Sequence, residues 1–379
     1  MKILLVAIPN HHFFQWANQL KESNYEVYWF DITDGAGFVE KINWVQQFNG
    51  WKLKWNYPFR YRIKKYFPNL YSLLEKLTVN KTEAVFETII KEVQPDIVHC
   101  FEMKLAGLPI LSVMQQNKIP FIYSSWGSDM YDYRNLGVST EQLKLFLQKV
   151  DYLITDCKRD FQIAKQLGFK NRFLGVFPGN GGIEIESEYL QSINNRKTIC
   201  IKGYDDGVGK AILVLKAIES IKFDSTIDFL IFSADEIVKD YVKKSEYFKR
   251  KKVEIICRKT FLENKLLLQK LGSCLLYIGN SISDGMPNSL LEAMGMGCFL
   301  IQSNPGKVTE EVIAHGMNGF LIENPYDVEA IACLIKTALE NQEIRIKAQE
   351  YNVDFVHQHY NREKLKKEIL DLYQKVKLN

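Results

Sequence analysis

Short apolar runs alternate with amphipathic stretches along almost the whole chain, and that alternation sets the fold class. In the first half, Lys2–Ala7, Glu26–Phe30, Asp96–Cys100, Pro120–Ser124, Tyr152–Thr155 and Arg172–Val176 have the length and composition of strands. Between most of them lie helix-length segments with apolar residues at i, i+3 and i+4, such as His12–Ser23 and Lys81–Val93. This pattern predicts parallel sheets covered by helices. A cluster of turn formers, Phe177-Pro178-Gly179-Asn180-Gly181-Gly182, interrupts it, and a polar stretch runs on to Arg196. The alternation restarts at Thr198–Lys202 and continues through Ile227–Phe232, Val253–Cys257, Cys274–Tyr277, Cys298–Gln302 and Phe320–Ile322. The expected architecture is α/β: two doubly wound, Rossmann-like domains over residues 1–177 and 195–359, facing each other across a cleft. A last helix, Arg362–Lys377 within residues 360–379, is free to join the first domain. Open parallel sheets bind ligands outside the carboxyl ends of their strands, so the loops after strands are where chemistry is expected.

A length of 379 residues suits two domains better than one core. The net charge is +4, from 49 basic and 45 acidic residues, which gives no global case for a nucleic-acid partner. The seven cysteines include no CxxC pair, so zinc and dithiol redox roles are poor readings, and buried reduced thiols are expected. The opening run Met1–Val6 stops at Pro9-Asn10-His11-His12, too short for the apolar part of a signal peptide. No run approaches the ~20 apolar residues of a membrane span, so a cytoplasmic location is expected.

The most informative stretch runs from Ser281 to Gly297, SISDGMPNSLLEAMGMG. It follows a strand and opens a helix. Pro287 suits the first helical position, where its missing N–H costs nothing. Gly285 lets backbone approach a ligand closely. The amides and dipole at the helix start form an anion site, and a diphosphate fits it. Glu292 lies among Leu291, Ala293 and Met294, so its carboxylate is desolvated unless it accepts strong hydrogen bonds, which ribose hydroxyls would donate. Asp284, just before the helix, is placed to meet sugar hydroxyls. The competing reading has Asp284 or Ser283 capping the helix and Glu292 favouring its positive end.

This segment resembles the E-x7-E signature of the retaining glycosyltransferases of family 4, which have the two-domain GT-B fold. Asp284 stands in place of the first Glu and Glu292 matches the second. Leu291-Glu292-Ala293-Met294, Gly297, the strand Cys298–Gln302 and Asn318-Gly319-Phe320-Leu321 extend the likeness, which is clearest over residues 275–335. The resemblance implies that Glu292 binds the donor ribose, that Asp284 holds hydroxyls of the transferred sugar, and that backbone around Gly285, Met286, Pro287, Asn288 and Ser289 holds phosphate. It implies further an Arg and a Lys, with four residues between them, neutralising the departing phosphates at the entry to the second domain. In Lys202-Gly203-Tyr204-Asp205-Asp206-Gly207-Val208-Gly209-Lys210, Lys210 fits the Lys, but Asp205 stands where the Arg would be. Lys202 is the candidate substitute; solvated lysines flanking a glycine turn are the alternative. A Walker-type loop is ruled out because no Gly-Lys-Ser/Thr ending is present.

The first domain departs further. Where relatives place glycines after the first strand, this chain has Ala7-Ile8-Pro9-Asn10-His11-His12. Asn10 and His12 are acceptor-side candidates, with His12 alternatively a plain helix-start residue. His99, at a strand end, resembles the family's His-containing segment near donor and acceptor, or else is a buried strand-end histidine. Glu102 follows it. Trp126-Gly127-Ser128-Asp129 resembles a subset of the family; Asp129 either orients an acceptor hydroxyl or caps a helix, and Trp126 lies beside it.

Residues 51–66, WKLKWNYPFRYRIKKY, hold six basic and six aromatic residues and no acidic one. That mixture suits an anionic membrane surface carrying a lipid-linked acceptor, or a packed aromatic segment with a solvated basic face. The expected function is transfer of a sugar, UDP-linked, from a nucleotide diphosphate donor to a saccharide or lipid-linked acceptor in surface polysaccharide or glycoconjugate assembly. Lys210, Asp284, Glu102 and Asp129 are the candidate catalytic residues. With no DxD-type pair, no metal and no other cofactor is expected. The rival readings are a sugar-nucleotide epimerase of the same fold and a non-catalytic polysaccharide-assembly protein.

Overall fold

The computed structural model describes residues 1–55, 58–222, 227–260 and 262–378, without the side chains of residues 61 and 73. Asn56 and Tyr57 of the basic aromatic segment therefore lie outside the described residues. Two compact units result: residues 1–156, 160–181 and 366–379 form the first, and residues 157–159 and 182–365 the second.

The first unit is a parallel sheet with helices. Its elements are β1 (Lys2–Ala7), α1 (His11–Gln19), β2 (Glu26–Asp31), β3 (Gln46–Phe48), α2 (Arg60–Tyr66), α3 (Pro68–Thr78), α4 (Thr82–Val93), β4 (Ile97–Phe101), α5 (Leu108–Gln115), β5 (Phe121–Ser124), α6 (Thr140–Lys149), β6 (Tyr152–Thr155), α7 (Lys158–Gln166) and β7 (Arg172–Val176). Strand order is β3-β2-β1-β4-β5-β6-β7, all parallel. Central strands β1 and β4 are buried on both faces, which is why they read as unbroken apolar runs. Helix starts follow local chemistry: Ser139 and Gln142 form a reciprocal capping box on α6, and the Asn10 side chain accepts from Phe13 N on α1. α1 stops at Gln19, short of the expected Ser23, because Glu22 takes a left-handed φ of 71°.

The second unit comprises β8 (Thr198–Lys202), α8 (Ala211–Ile221), β9 (Asp228–Ala234), α9 (Glu236–Lys244), β10 (Val253–Cys257), α10 (Asn264–Leu271), β11 (Cys274–Gly279), α11 (Asn288–Gly295), β12 (Phe299–Ser303), β13 (Gly319–Ile322), α12 (Val328–Glu340) and α13 (Gln342–His359). Its parallel order is β10-β9-β8-β11-β12-β13. A buried amide network fastens α13 to the sheet: Asn352 Nδ2 donates to Cys298 O and Asn318 O, and Asn318 Nδ2 donates to Asn352 Oδ1. α11 ends on Gly297, whose φ of 67° and close approach to Gln349 admit no side chain.

The final helix, α14 (Arg362–Lys377), begins in the second unit and runs into the first, where Ile369, Leu372, Tyr373 and Val376 are buried. None of the seven cysteines forms a disulfide; five are buried, as the apolar runs around most of them suggest, while Cys257 is half-buried and Cys333 exposed. Among the described residues, no helix is long and apolar enough to cross a membrane.

Candidate functional site

In the second unit the chemistry gathers at the carboxyl end of the sheet. The loops after neighbouring strands β8 and β11 are laced together: Lys210 N donates to Asn280 O at 2.9 Å and Ile282 N to Val208 O at 3.0 Å. Asp206 shapes the first loop by accepting from Gly209 N. Asp205, in the position where relatives carry arginine, instead accepts from Ile212 N at 2.7 Å and serves the start of α8.

Across these loops Lys202 Nζ meets Asp284 Oδ2 at 3.3 Å, both half-buried. Burial works to lower the Lys202 pKa, but the charge and hydrogen bond of Asp284 together with Tyr204 outweigh it, and the ammonium is held above its ordinary value. Asp284 is therefore committed to Lys202 and does not cap α11. Nor does Ser283: the N-cap is Pro287, with φ −68° and ψ 120°, and no side chain caps the helix. Pro287 thus sits one position before its expected place as first helical residue. Gly285, Met286 and Pro287 are buried, while Asn288 and Ser289 are half-buried, and Ser289 Oγ lies 2.9 Å from Tyr277 OH.

Glu292 is 6% exposed, and its Oε1 accepts from Asn264 Nδ2 at 2.7 Å. Burial pushes this carboxyl up to about 7, against the opposing pull of Asn264 and Lys202. The result is a cation, two carboxylates and an uncapped helix start at one sheet edge, a combination that can grip a polyhydroxylated anion. Lys210 stands at the N-cap of α8; its Nζ donates to Gly207 O at 2.6 Å and lies 5.4 Å from the centre of the Tyr326 ring.

Two residues here escaped the sequence reading. Asn264 lies far along the chain from Glu292, and nothing local marks it. Arg258 follows β10 directly; its guanidinium sits 4.1 Å over the Tyr204 ring and pairs with Asp206 at 2.8 Å, while Lys202 lies 5.0 Å from the same ring. Its place after a strand was the available signal.

In the first unit Glu102 takes a φ of 73° and begins a π-helical turn, Met103–Gly107. Its carboxylate accepts from Lys104 N and Leu105 N, so it closes its own turn. Burial raises the Glu102 pKa. Asp129 is buried; its Oδ2 accepts from Tyr123 OH at 2.6 Å and Met103 N at 2.9 Å, while Oδ1 has no partner among the described residues. Burial, and then the Glu102 charge, push Asp129 well up. The two carboxylates are thus brought together, and no helix starts at Asp129 for it to cap. Trp126 packs on Phe101 with ring centres 5.0 Å apart. Asn10 is spent on the α1 cap, and His12 is an exposed residue of its first turn.

His99 takes the place of a buried strand-end histidine, one of its two readings. It is fully buried, its Nδ1 2.6 Å from Tyr373 OH and its Nε2 2.8 Å from Ser124 Oγ, and it stacks on Phe101. Burial holds its pKa well below the ordinary value. Both ring nitrogens are thus engaged inside the core.

Residues 187–354 match the family model of the glycosyl transferases group 1, and residues 83–157 match that of the glycosyl transferase 4-like proteins; together they take in more than half of the chain. No curated protein sequence matches it. Among solved structures, a sucrose-phosphate synthase from Thermosynechococcus elongatus is 14% identical with a TM-score of 0.71, and the likeness covers 99% of both chains. HepE from Anabaena, solved in complex with UDP, is 14% identical with a TM-score of 0.68 over 99% of this chain and 100% of its own. A glycosyltransferase from Rickettsia africae is 14% identical with a TM-score of 0.67 over 99% of this chain and 98% of its own. A group 1 domain following a glycosyl transferase 4-like segment, on a fold shared end to end with a solved glycosyltransferase, makes this chain a glycosyltransferase of the GT-B type.

Proposed function

We propose that the protein moves a sugar from a uridine diphosphate donor to a saccharide or lipid-linked saccharide acceptor, with retained configuration, in the assembly of a surface polysaccharide or glycoconjugate. The observation that carries this reading is the buried Glu292 carboxylate beside the uncapped start of α11. A carboxylate there is poorly placed for stability and well placed to accept from ribose hydroxyls. HepE was solved with UDP, which supports uridine as the base.

On this reading the α11 amides and Lys210 take the diphosphate, Lys202 adds charge at its edge, and Asp284 meets hydroxyls of the transferred sugar. The bond from the anomeric carbon to the phosphate oxygen breaks as the acceptor oxygen bonds on the same face. The acceptor's proton passes to the departing phosphate, and the developing charge is met by groups already oriented. Asn10, His12, Trp126, Glu102 and Asp129 remain acceptor-side proposals, the last two through the loops they hold. The lysines do the neutralising, so no metal is called for. The work would take place at the cytoplasmic face of a membrane.

Purified protein is expected to show a larger thermal shift with uridine than with guanosine or thymidine sugar nucleotides, and to release UDP only when an acceptor is supplied. Donor conversion without acceptor would instead indicate epimerisation, and binding without turnover an assembly role. Failure to release nucleotide from any donor, with Glu292→Ala binding donor like wild type, would sink the proposal. Asn264→Ala is expected to raise the pH at which UDP binding is half-maximal by ~1 unit, because a hydrogen bond to an ionised group is worth about 1.5–3 kcal/mol. An unmoved pH midpoint in titration calorimetry would remove Asn264 from the site.

A further inference from the structure

The surface of the first unit carries an apolar stripe that donor chemistry does not explain. Along α3 and its entry, Phe67, Leu70, Leu74 and Leu77 recur at spacings of three and four, which puts them on one side of the helix. Phe67, Leu70 and Leu77 are 62%, 48% and 58% exposed, and Leu74 is half-buried. One edge of the same side packs: Tyr71 and Thr78, four residues from Phe67 and Leu74, are buried, while Ser72 and Lys76 on the opposite side are exposed. Phe59 and Tyr66, at the two ends of α2, are exposed as well.

Charge accompanies this surface. Between Glu40 and Glu75 the chain has seven basic residues and no acidic one. Several lie against the exposed rings: Arg62 is 5.6 Å from the Phe59 ring centre and Lys65 is 5.2 Å from that of Tyr66. Arg60 Nη2 donates to Tyr71 OH at 3.1 Å, which ties α2 to the packed edge of α3.

We propose that α2 and α3 seat the protein on an anionic phospholipid bilayer, the leucines and aromatic rings entering the headgroup boundary and the lysines and arginines meeting lipid phosphate. An exposed apolar stripe is stabilised when it is covered, and its rim of cations selects a negatively charged cover. A nucleic acid would use the rings and cations but leave the aliphatic leucines in water, so a bilayer accounts for more of the surface. The inference is independent of the donor site: it concerns where the protein sits, whatever sugar it moves.

The test is sedimentation of the full chain with vesicles. Binding is expected to phosphatidylcholine vesicles containing phosphatidylglycerol, not to phosphatidylcholine alone, and should weaken as salt rises. Lys64→Glu with Lys65→Glu is expected to cost roughly thirtyfold or more in apparent affinity. Leu70→Ser with Leu77→Ser should abolish sedimentation at any salt. Both double variants alter exposed side chains, so far-UV circular dichroism and the thermal shift with UDP should match wild type. No sedimentation with anionic vesicles overturns the proposal, as does sedimentation indifferent to both variants. Retention of single-stranded RNA or of an acidic protein by the same surface, without vesicle binding, also overturns it. None of these outcomes bears on donor binding, which the UDP shift reads separately.

Discussion

Replacing Glu292 with glutamine will stabilise the protein at neutral and alkaline pH while weakening its hold on nucleotide. The folded carboxyl titrates at about 7, against 4.5 for an ordinary glutamate. Between those values the folded state binds more protons than the unfolded chain, so stability falls as pH rises and levels off above the folded value. A shift of that size corresponds to ~3 kcal/mol. The gap between Glu292→Gln and wild type should thus be near zero at pH 4.5, widen to a few kcal/mol by pH 7 and stay constant beyond. Denaturant unfolding followed by circular dichroism across that range checks it, and parallel curves would show that the charge is not buried at a cost. Binding should move the opposite way. Ribose hydroxyls donate to the ionised form, so wild-type affinity for UDP should climb with pH up to about 7, and the variant should lose roughly ten- to a hundredfold with no such climb.

His99→Leu will destabilise the first unit by ~2–4 kcal/mol and leave UDP affinity unchanged. Leucine fills the space but leaves Tyr373 OH with Trp16 Nε1 alone and takes from Ser124 Oγ its imidazole partner inside the core. Since the His99 pKa is depressed below the ordinary 6.5, the unfolded chain binds the extra proton, and stability is lost as pH falls below that value. The variant should lose this acid sensitivity. All six tryptophans, at positions 16, 29, 44, 51, 55 and 126, belong to the first unit, so intrinsic fluorescence reports on it alone. An unchanged fluorescence midpoint would mean that the imidazole carries no structural weight. Below pH 6.5 the His99 and Glu292 slopes oppose one another, so each variant should uncover the other's dependence.

The sequence displayed most of this architecture because its central strands are buried on both faces and therefore stand out as continuous apolar runs. Their ends fall within one or two residues of expectation. β3 did not stand out: Gln46-Gln47-Phe48 carries little apolar signal, and it becomes a strand through pairing with β2 and the stacking of Phe48 on Tyr28. Within the candidate site, the segment from Asp284 to Glu292 was legible because its two carboxylates and its helix start lie in one contiguous stretch. Asn264 and Arg258 were not, since what they do depends on partners that only folding brings near. The two readings of His99 stayed open for the same reason: the tyrosine that engages it lies on the last helix, 274 residues away. Glu102 and Asp129 were recognised as carboxylates of interest, but their attachment to the π-helical turn after β4 depends on a left-handed φ that no spacing rule announces.

The split membership of α14 bears on how the protein is made. The first unit's strands are all synthesised by Val176, yet Tyr373, which Trp16 and His99 both engage, follows almost two hundred residues later. At about 5–20 residues per second, roughly ten to forty seconds of translation separate the two. Until then the earliest-made half of the protein lacks one of its walls, and a chaperone has a defined interval in which to shelter it. A premature stop ahead of Tyr373 would accordingly injure the first-made unit and not only the half it directly adjoins.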